Sequence, residues 1–266
     1  MSNSLILYGV PFSQPVRAVM WLMLYKRQPF EMDLIIPGSS GETGSRNPAY
    51  LKKFPGGTIP SLEDSDSGFL LSEAHAIMCY LCNRFGWTDL YPDNPELRAK
   101  IDWYLHFHHR NVREASGGLV APKIRKDLNI SEDFQKSAQA SLKRALEALE
   151  EGWLHDSKYL TGDELTIADM AAYVEIGQLQ ARFTNVYDFS PFPNVQRWLS
   201  DMTEIEHHDD VHTALYELGD ISKEAPSMET IVNANKQAFK VLKLSLIHIS
   251  EPTRLRRISY AVFCLK

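Results

Sequence analysis

Apolar positions along this chain fall into two regimes. Over roughly the first 85 residues, short apolar runs alternate with segments of helical spacing. Ser4–Gly9 predicts a buried strand, Pro15–Lys26 a helix and Phe30–Ile36 a second strand. A polar, Gly- and Ser-rich stretch, PGSSGETGSRNPAY, predicts a loop, and FPGGTIPSLED a turn that feeds a third strand. Phe69-Leu70-Leu71 predicts a short fourth strand. Ser72–Phe85 spaces Ile77, Tyr80, Leu81 and Arg84 as a helix, with Gly86 as its C′ residue. The order β-α-β followed by β-β-α predicts a small mixed sheet with helices packed on it.

From Trp87 to Glu96 the run WTDLYPDNPE is polar and carries prolines, and it reads as a linker. Beyond it the strand signals stop. Glu96–Ala115, Ser131–Leu154, Thr166–Phe183, Asn194–Met202 and His208–Leu218 all space apolar residues at i, i+3 and i+4, and a further helix is predicted at Met228–Lys243. The expected organisation is an α/β domain over 1–86, a linker over 87–95 and an all-α domain over 96–243.

The last segment, LSLIHISEPTRLRRISYAVFCLK from Leu244 to Lys266, breaks this pattern and shows no sustained helical period. LSLIHISEPTR resembles the translation of a sequencing adapter, and ISYAVFCL the translated primer behind it. The segment is therefore expected to be a non-native tail, outside the fold. As a membrane anchor its eight-residue apolar end, ISYAVFCL, is too short to span.

The composition narrows the function classes. The chain has 266 residues, 44% of them hydrophobic, which is enough for two modest cores. The net charge is −6. Setting aside the tail's four basic residues (Arg254, Arg256, Arg257, Lys266) and its one acid (Glu251) takes 28 basic and 34 acidic residues to 24 and 33, net −9. Such a balance argues against a nucleic-acid backbone binder. No run approaches the ~20 apolar residues of a membrane span. MSNSLILYGVPF lacks a basic n-region, and three cysteines (Cys79, Cys82, Cys264) make no disulfide framework. The expectation is a cytoplasmic protein without membrane or nucleic-acid partners.

Several stretches bear on chemistry. In LILYGVPFSQPVRAV, Ser13 stands where a strand gives way to a helix, as an N-cap or as a reacting group's partner. In GGTIPSL, a cis Ile59-Pro60 bond would turn the backbone groups of Ile59 outward to pair with an extended ligand, and a trans turn proline is the plain alternative. Glu73 opens a helix, where it either caps or receives a ligand's ammonium beside N–H groups that hold a carboxylate. CYLC has CxxC spacing, but it lies late in a helix, where the dipole does not lower a thiol pKa, so core packing is expected. EHHDDVH sets His208 and His212 four apart beside Asp209, as a surface pair or as metal ligands.

Taken together, Ser-Gln-Pro-x-Arg after strand one, the TIPSL turn and SEAHAI are similar to the glutathione transferase superfamily. YLTGDELTIADMAAYV, with Thr166 and Asp169 as a reciprocal capping pair, and FPNVQRWLSDM extend the resemblance across most of Ser4–Met202. It implies a thioredoxin-like domain followed by an all-helical domain. The serine in PFSQPVR resembles the theta class, in which a serine activates glutathione, and so favours Ser13 over Tyr8. By the same resemblance, the backbone of Ile59 at the Pro60 turn pairs with the cysteinyl part of glutathione, and Glu73 holds the γ-glutamyl ammonium. Ala74 stands where a serine usually binds the γ-glutamyl carboxylate. Thr58 stands where theta members often carry Lys, and Ser45 or Arg46 near their His. DWYLHFHHRNVREA is similar to the theta helix facing the active site, which implies Arg113 close to the sulfur, and a solvated helix charge is the plain alternative. The activity implied is conjugation of glutathione, as cosubstrate and without a metal, to a hydrophobic electrophile or organic hydroperoxide by a homodimer. A non-catalytic ligand carrier or interaction module is the rival. A glutaredoxin-like thiol-disulfide enzyme would need a cysteine at Ser13.

Overall fold

The computed structural model describes residues 4–126 and 128–250. Its first part runs β1 (Leu5–Gly9), α1 (Gln14–Tyr25), β2 (Glu31–Leu34), α2 (Pro48–Lys53), β3 (Ser61–Asp64), β4 (Phe69–Ser72) and α3 (Ala74–Phe85). The strands form one sheet in the order β2-β1-β3-β4. β2 lies parallel to β1, and β3 and β4 are antiparallel to their neighbours. The register decides where the chemistry collects. Tyr8 pairs with Ser61, and Ser61 with Ser72. The chain leaving β1, the chain entering β3 and the chain leaving β4 therefore meet at one end of the sheet.

Helix α1 buries Val16 to Leu24 without a break, because α3 of its own domain and helices of the second domain all pack against it. Its close seat on β1 needs Gly9: a Cβ there would come within 2.6 Å of Val16 Cγ2. The polar stretch before β3 hides α2, whose start Asn47 marks by accepting from the Ala49 N–H at 2.8 Å, with Pro48 in the first turn. The α3 helix ends on Gly86 at φ 66°, as the sequence predicts.

The second part is helical: α4 (Pro95–Asn111), α5 (Ala121–Ile124), α6 (Glu132–Ala148), α7 (Ile167–Ile176), α8 (Pro193–Asp201), α9 (His208–Leu218) and α10 (Met228–Ser250). Wider π-helical turns occupy Ser116–Val120 and Leu149–Trp153. Asp169 pins the start of α7 by accepting from the Leu160 and Thr166 N–H groups, the Thr166 hydroxyl and Trp198 Nε1, at 2.8 to 3.1 Å. The helix expected to run on to Phe183 instead stops at Ile176. A 3-10 turn, Gly177–Leu179, follows it.

The expected break at Leu244 does not occur. Helix α10 continues to Ser250, with the Ser245 hydroxyl donating to Asp210 at 3.0 Å and Leu246 and Ile249 packed against the core. That apolar and polar spacing continues the α10 face already laid against α9. The remainder of the tail, 251–266, lies outside the described residues. Among the described residues, no helix is long and apolar enough to cross a membrane.

Candidate active site

At the shared end of the sheet, a cleft of about 210 Å³ opens between the two domains. Pro15 and Ala18 of α1 line it, with Thr58, Ile59 and Pro60, then Glu73, Ala74 and His75. The far wall comes from the second domain: His108, His109, Arg113, Ala171, Val174 and Glu175. A larger open groove of about 870 Å³ runs between Gln180–Phe189 and α8, and it contains none of the sequence-predicted site residues.

The Ile59-Pro60 bond is cis. The turn before it needs Gly57, which sits at φ +60° with Arg46 Nη1 only 2.8 Å from where a Cβ would stand. Tyr50 holds this turn from beneath, a role the sequence did not signal. Its hydroxyl donates to the Thr58 carbonyl at 2.7 Å and meets the Ser61 hydroxyl at 3.0 Å. Glu73 is exposed and adopts φ 77° without being a glycine, a costly conformation of the kind found where a side chain must be aimed. The next residue, Ala74, is the buried first residue of α3.

Ser13 occupies the N-cap position of α1 with extended backbone (φ −72°, ψ 127°), but its hydroxyl caps nothing. Its N–H donates to the Val10 carbonyl at 3.0 Å, and its carbonyl accepts from the Arg17 N–H at 2.9 Å. The residue just before it, Phe12, is held through both of its backbone polar groups. The Phe12 N–H donates to Asn235 Oδ1 of α10 at 3.2 Å, and Arg17 Nη1 donates to the Phe12 carbonyl at 2.6 Å. Arg17 is 0% exposed, and its Nη2 also donates to the Val174 carbonyl at 3.1 Å. Burial lowers its pKa to about 10, still well above neutrality. An arginine inside an otherwise apolar helix was the available sequence signal for this clamp.

Tyr8 has another employment. Its hydroxyl donates to Glu63 at 2.5 Å and accepts from Lys53 at 3.1 Å, and its ring packs on Tyr50 and Phe54. Burial first, and then the Glu63 bond, raise its pKa.

Arg113 lies just past the end of α4 and pairs with Glu175 of α7. The Ser116 hydroxyl also donates to Glu175, at 2.8 Å, and Gln178 Nε2 donates to Ser116. Gln14, next to Ser13, donates to Gln178 Oε1 at 2.8 Å. A polar chain thus crosses the domain boundary from Gln14 to Arg113. The Glu175 charge raises the Arg113 pKa against its partial burial, and the Glu73 charge adds to this. Beside Arg113 the rings of His75 and His108 lie 4.9 Å apart, and those of His75 and His109 4.6 Å. Burial pushes His75 down to about 3 and His108 well below the usual imidazole range.

The structure does not bring every predicted residue to the cleft. Ser45 is fully buried, with its hydroxyl accepting from the Gly38 N–H at 2.9 Å. Arg46 is exposed beside Gly57. Cys79 and Cys82 pack inside α3, with burial pushing their thiols up to about 11 and about 12. His208 and His212 are buried rather than on a surface. Their rings stack at 4.6 Å, His208 Nε2 meets the Tyr173 hydroxyl at 2.8 Å, and Trp21 presents an edge to both. Among the described residues, no three His, Cys, Asp or Glu side chains assemble as a metal site.

A thioredoxin-like sheet, a cis-proline turn at its end and a helical domain closing over that turn define the class of the molecule. Glutathione S-transferase, N-terminal domain, matches residues 7–93, and Glutathione S-transferase, C-terminal domain, matches residues 96–206. Glutathione S-transferase GstB of Escherichia coli (strain K12) is 30% identical over 201 residues, which is 74% of this chain and 92% of that protein. Glutathione S-transferase T2 of Arabidopsis thaliana is 30% identical over 253 residues, 90% of this chain, and this chain spans 42% of its length. An epsilon-class glutathione S-transferase from housefly, Musca domestica, superposes with a TM-score of 0.65 at 27% identity, covering 91% of this chain and 98% of that one. The chain belongs to the glutathione S-transferase family.

Proposed function

We propose that this protein conjugates the glutathione thiolate to hydrophobic electrophiles, as a serine-type, theta-like transferase. The observation that carries the reading is the Ser13 hydroxyl, which makes no hydrogen bond at the start of α1, in a chain of this family whose Ile59-Pro60 bond is cis. A free thiol has a pKa of about 8.5, so little of it is thiolate at neutral pH. Ser13 donates its O–H to the sulfur and stabilises the anion, and the thiol proton passes to solvent. The thiolate then attacks the electrophile's carbon, forming the C–S bond as the leaving group departs with its electron pair. With an organic hydroperoxide it attacks the distal oxygen instead: the S–O bond forms as the O–O bond breaks, and the alkoxide leaves and takes a proton from water. A second glutathione converts the resulting sulfenic acid to the disulfide with loss of water. The Ile59 backbone pairs with the cysteinyl segment, and Glu73 receives the γ-glutamyl ammonium. The second substrate lies between the domains. A cytoplasmic homodimer belongs to the same reading.

The test is the thiolate ultraviolet absorbance of protein-bound glutathione against pH, for the wild-type chain and Ser13→Ala. The expected result is a thiol pKa below that of free glutathione which rises in the variant. Absence of glutathione binding by the wild type, or the same thiol pKa in both proteins, overturns the reading.

A further inference from the structure

Glu73 and Arg113 line the same cleft, and the charge of Glu73 acts on Arg113, yet the two form no ion pair. Each has capacity left for a ligand. Glu73 is exposed and bonds to nothing through its carboxylate. Arg113 gives Nη1 to Glu175, while its other guanidinium N–H groups have no protein acceptor among the described residues and its side chain remains 43% exposed. The first residues of α3, Ala74 and His75, line the same cleft.

A carboxylate and a guanidinium held apart in one small cleft are complementary to an α-amino-acid head, with its ammonium toward the acid and its carboxylate toward the arginine. The neighbouring imidazoles of His75 and His108 are uncharged at neutral pH, so Arg113 supplies permanent positive charge on that wall. The buried Glu175 sets where that charge stands, because it is 1% exposed and is itself held by the Ser116 hydroxyl. We infer that Arg113 binds the α-carboxylate of the γ-glutamyl residue, taking over the anchoring that Ala74, which has no hydroxyl, cannot provide. Its charge then acts at the amino-acid head of the ligand rather than at the sulfur. This assignment rests on the glutathione reading above.

The experiment measures affinity for glutathione and for its analogue with the γ-glutamyl α-carboxylate converted to an amide, together with the bound thiol pKa. The wild type is expected to prefer glutathione by about 10- to 100-fold, the range for a hydrogen bond to a charged group. Arg113→Gln should bind both ligands equally, with the thiol pKa unchanged, and Arg113→Lys should recover part of the preference. Should Arg113→Gln fail to fold with Glu175 left unpaired, Arg113→Gln combined with Glu175→Gln removes the buried charge and carries the same comparison. A wild type that binds both ligands equally, or an Arg113→Gln chain that keeps the preference, overturns the assignment while leaving the transferase reading in place. So does a raised thiol pKa in Arg113→Gln with its affinity unaltered. A wild type that binds neither ligand overturns the transferase reading and this assignment together.

Discussion

Arg113 and Glu175 form an ion pair that is asymmetric in burial: the guanidinium side chain is 43% exposed, the carboxylate 1%. The consequences of breaking the pair should therefore be unequal. Removing a partner from a buried carboxylate leaves a charge that water cannot reach.

Arg113→Ala should destabilise the fold by about 3–5 kcal/mol, the range for a stranded buried charge. Glu175→Ala should cost less, because the freed guanidinium can turn to water. The double variant should lose less than the sum of the two single losses. Urea unfolding of the three variants measures this, and equal single effects that add in full would refute the asymmetry.

Tyr50→Phe removes the hydroxyl that holds the Thr58 carbonyl and the Ser61 hydroxyl. The expected loss is about 1–2 kcal/mol of stability. Under the proposed function, in which the turn before Pro60 positions glutathione and takes no part in bond making, the KM for glutathione should rise several-fold with kcat nearly constant. A fall in kcat alone would contradict that division.

Tyr8→Phe separates the two candidate activators of the thiol. The Tyr8 hydroxyl is taken up by Glu63 and Lys53, so the variant should leave the bound thiol pKa where it was and lower only thermal stability. A raised thiol pKa in Tyr8→Phe would shift the activating role away from Ser13.

Acid should weaken the protein through its buried imidazoles. His212 is fully buried, its Nε2 has no partner, and burial followed by the Arg17 charge holds its pKa well below the ordinary value. The unfolded chain takes up a proton near pH 6.5 that the folded chain refuses, so stability is intact above that pH and falls as the pH drops below it. Asp169, pushed up to about 6 by burial, works in the opposite sense, since its protonation below that pH favours the folded state. Replacing His212 by Phe should flatten the stability profile between pH 6.5 and 5 by up to about 1.4 kcal/mol per pH unit. An unchanged slope in chemical denaturation would show that His212 does not titrate on unfolding.

Much of the architecture was legible from local pattern. The strands and long helices follow from apolar spacing, the α3 stop from Gly86, and the start of α7 from Thr166 and Asp169. α2 was hidden because Asn47 and Pro48 start it within a Gly- and Ser-rich stretch that reads as loop. The continuation of α10 past Leu244 was missed because only α9 shows which side of that segment is covered. Motifs close in sequence proposed Ser13, Ile59, Pro60 and Glu73 as site residues, and the last three line the cleft. They did not point to the clamp by Arg17 or to Tyr50, Glu175 and Asn235, since each acts on a partner far along the chain or on a backbone atom.

The sequence by itself determined an α/β unit followed by a helical unit, and it offered a turn, an acid and a serine as candidates for the chemistry of the first. Local spacing and capping suffice for that, because helices and short strands are specified by near neighbours. The tertiary structure alone decided that the Ser13 hydroxyl caps nothing, that Ser45 and Cys82 are buried and Cys79 half-buried, and that Arg113 stands against Glu175. Those outcomes depend on the β1–β3–β4 register and on how α7 seats against α1, and no stretch of residues encodes them locally.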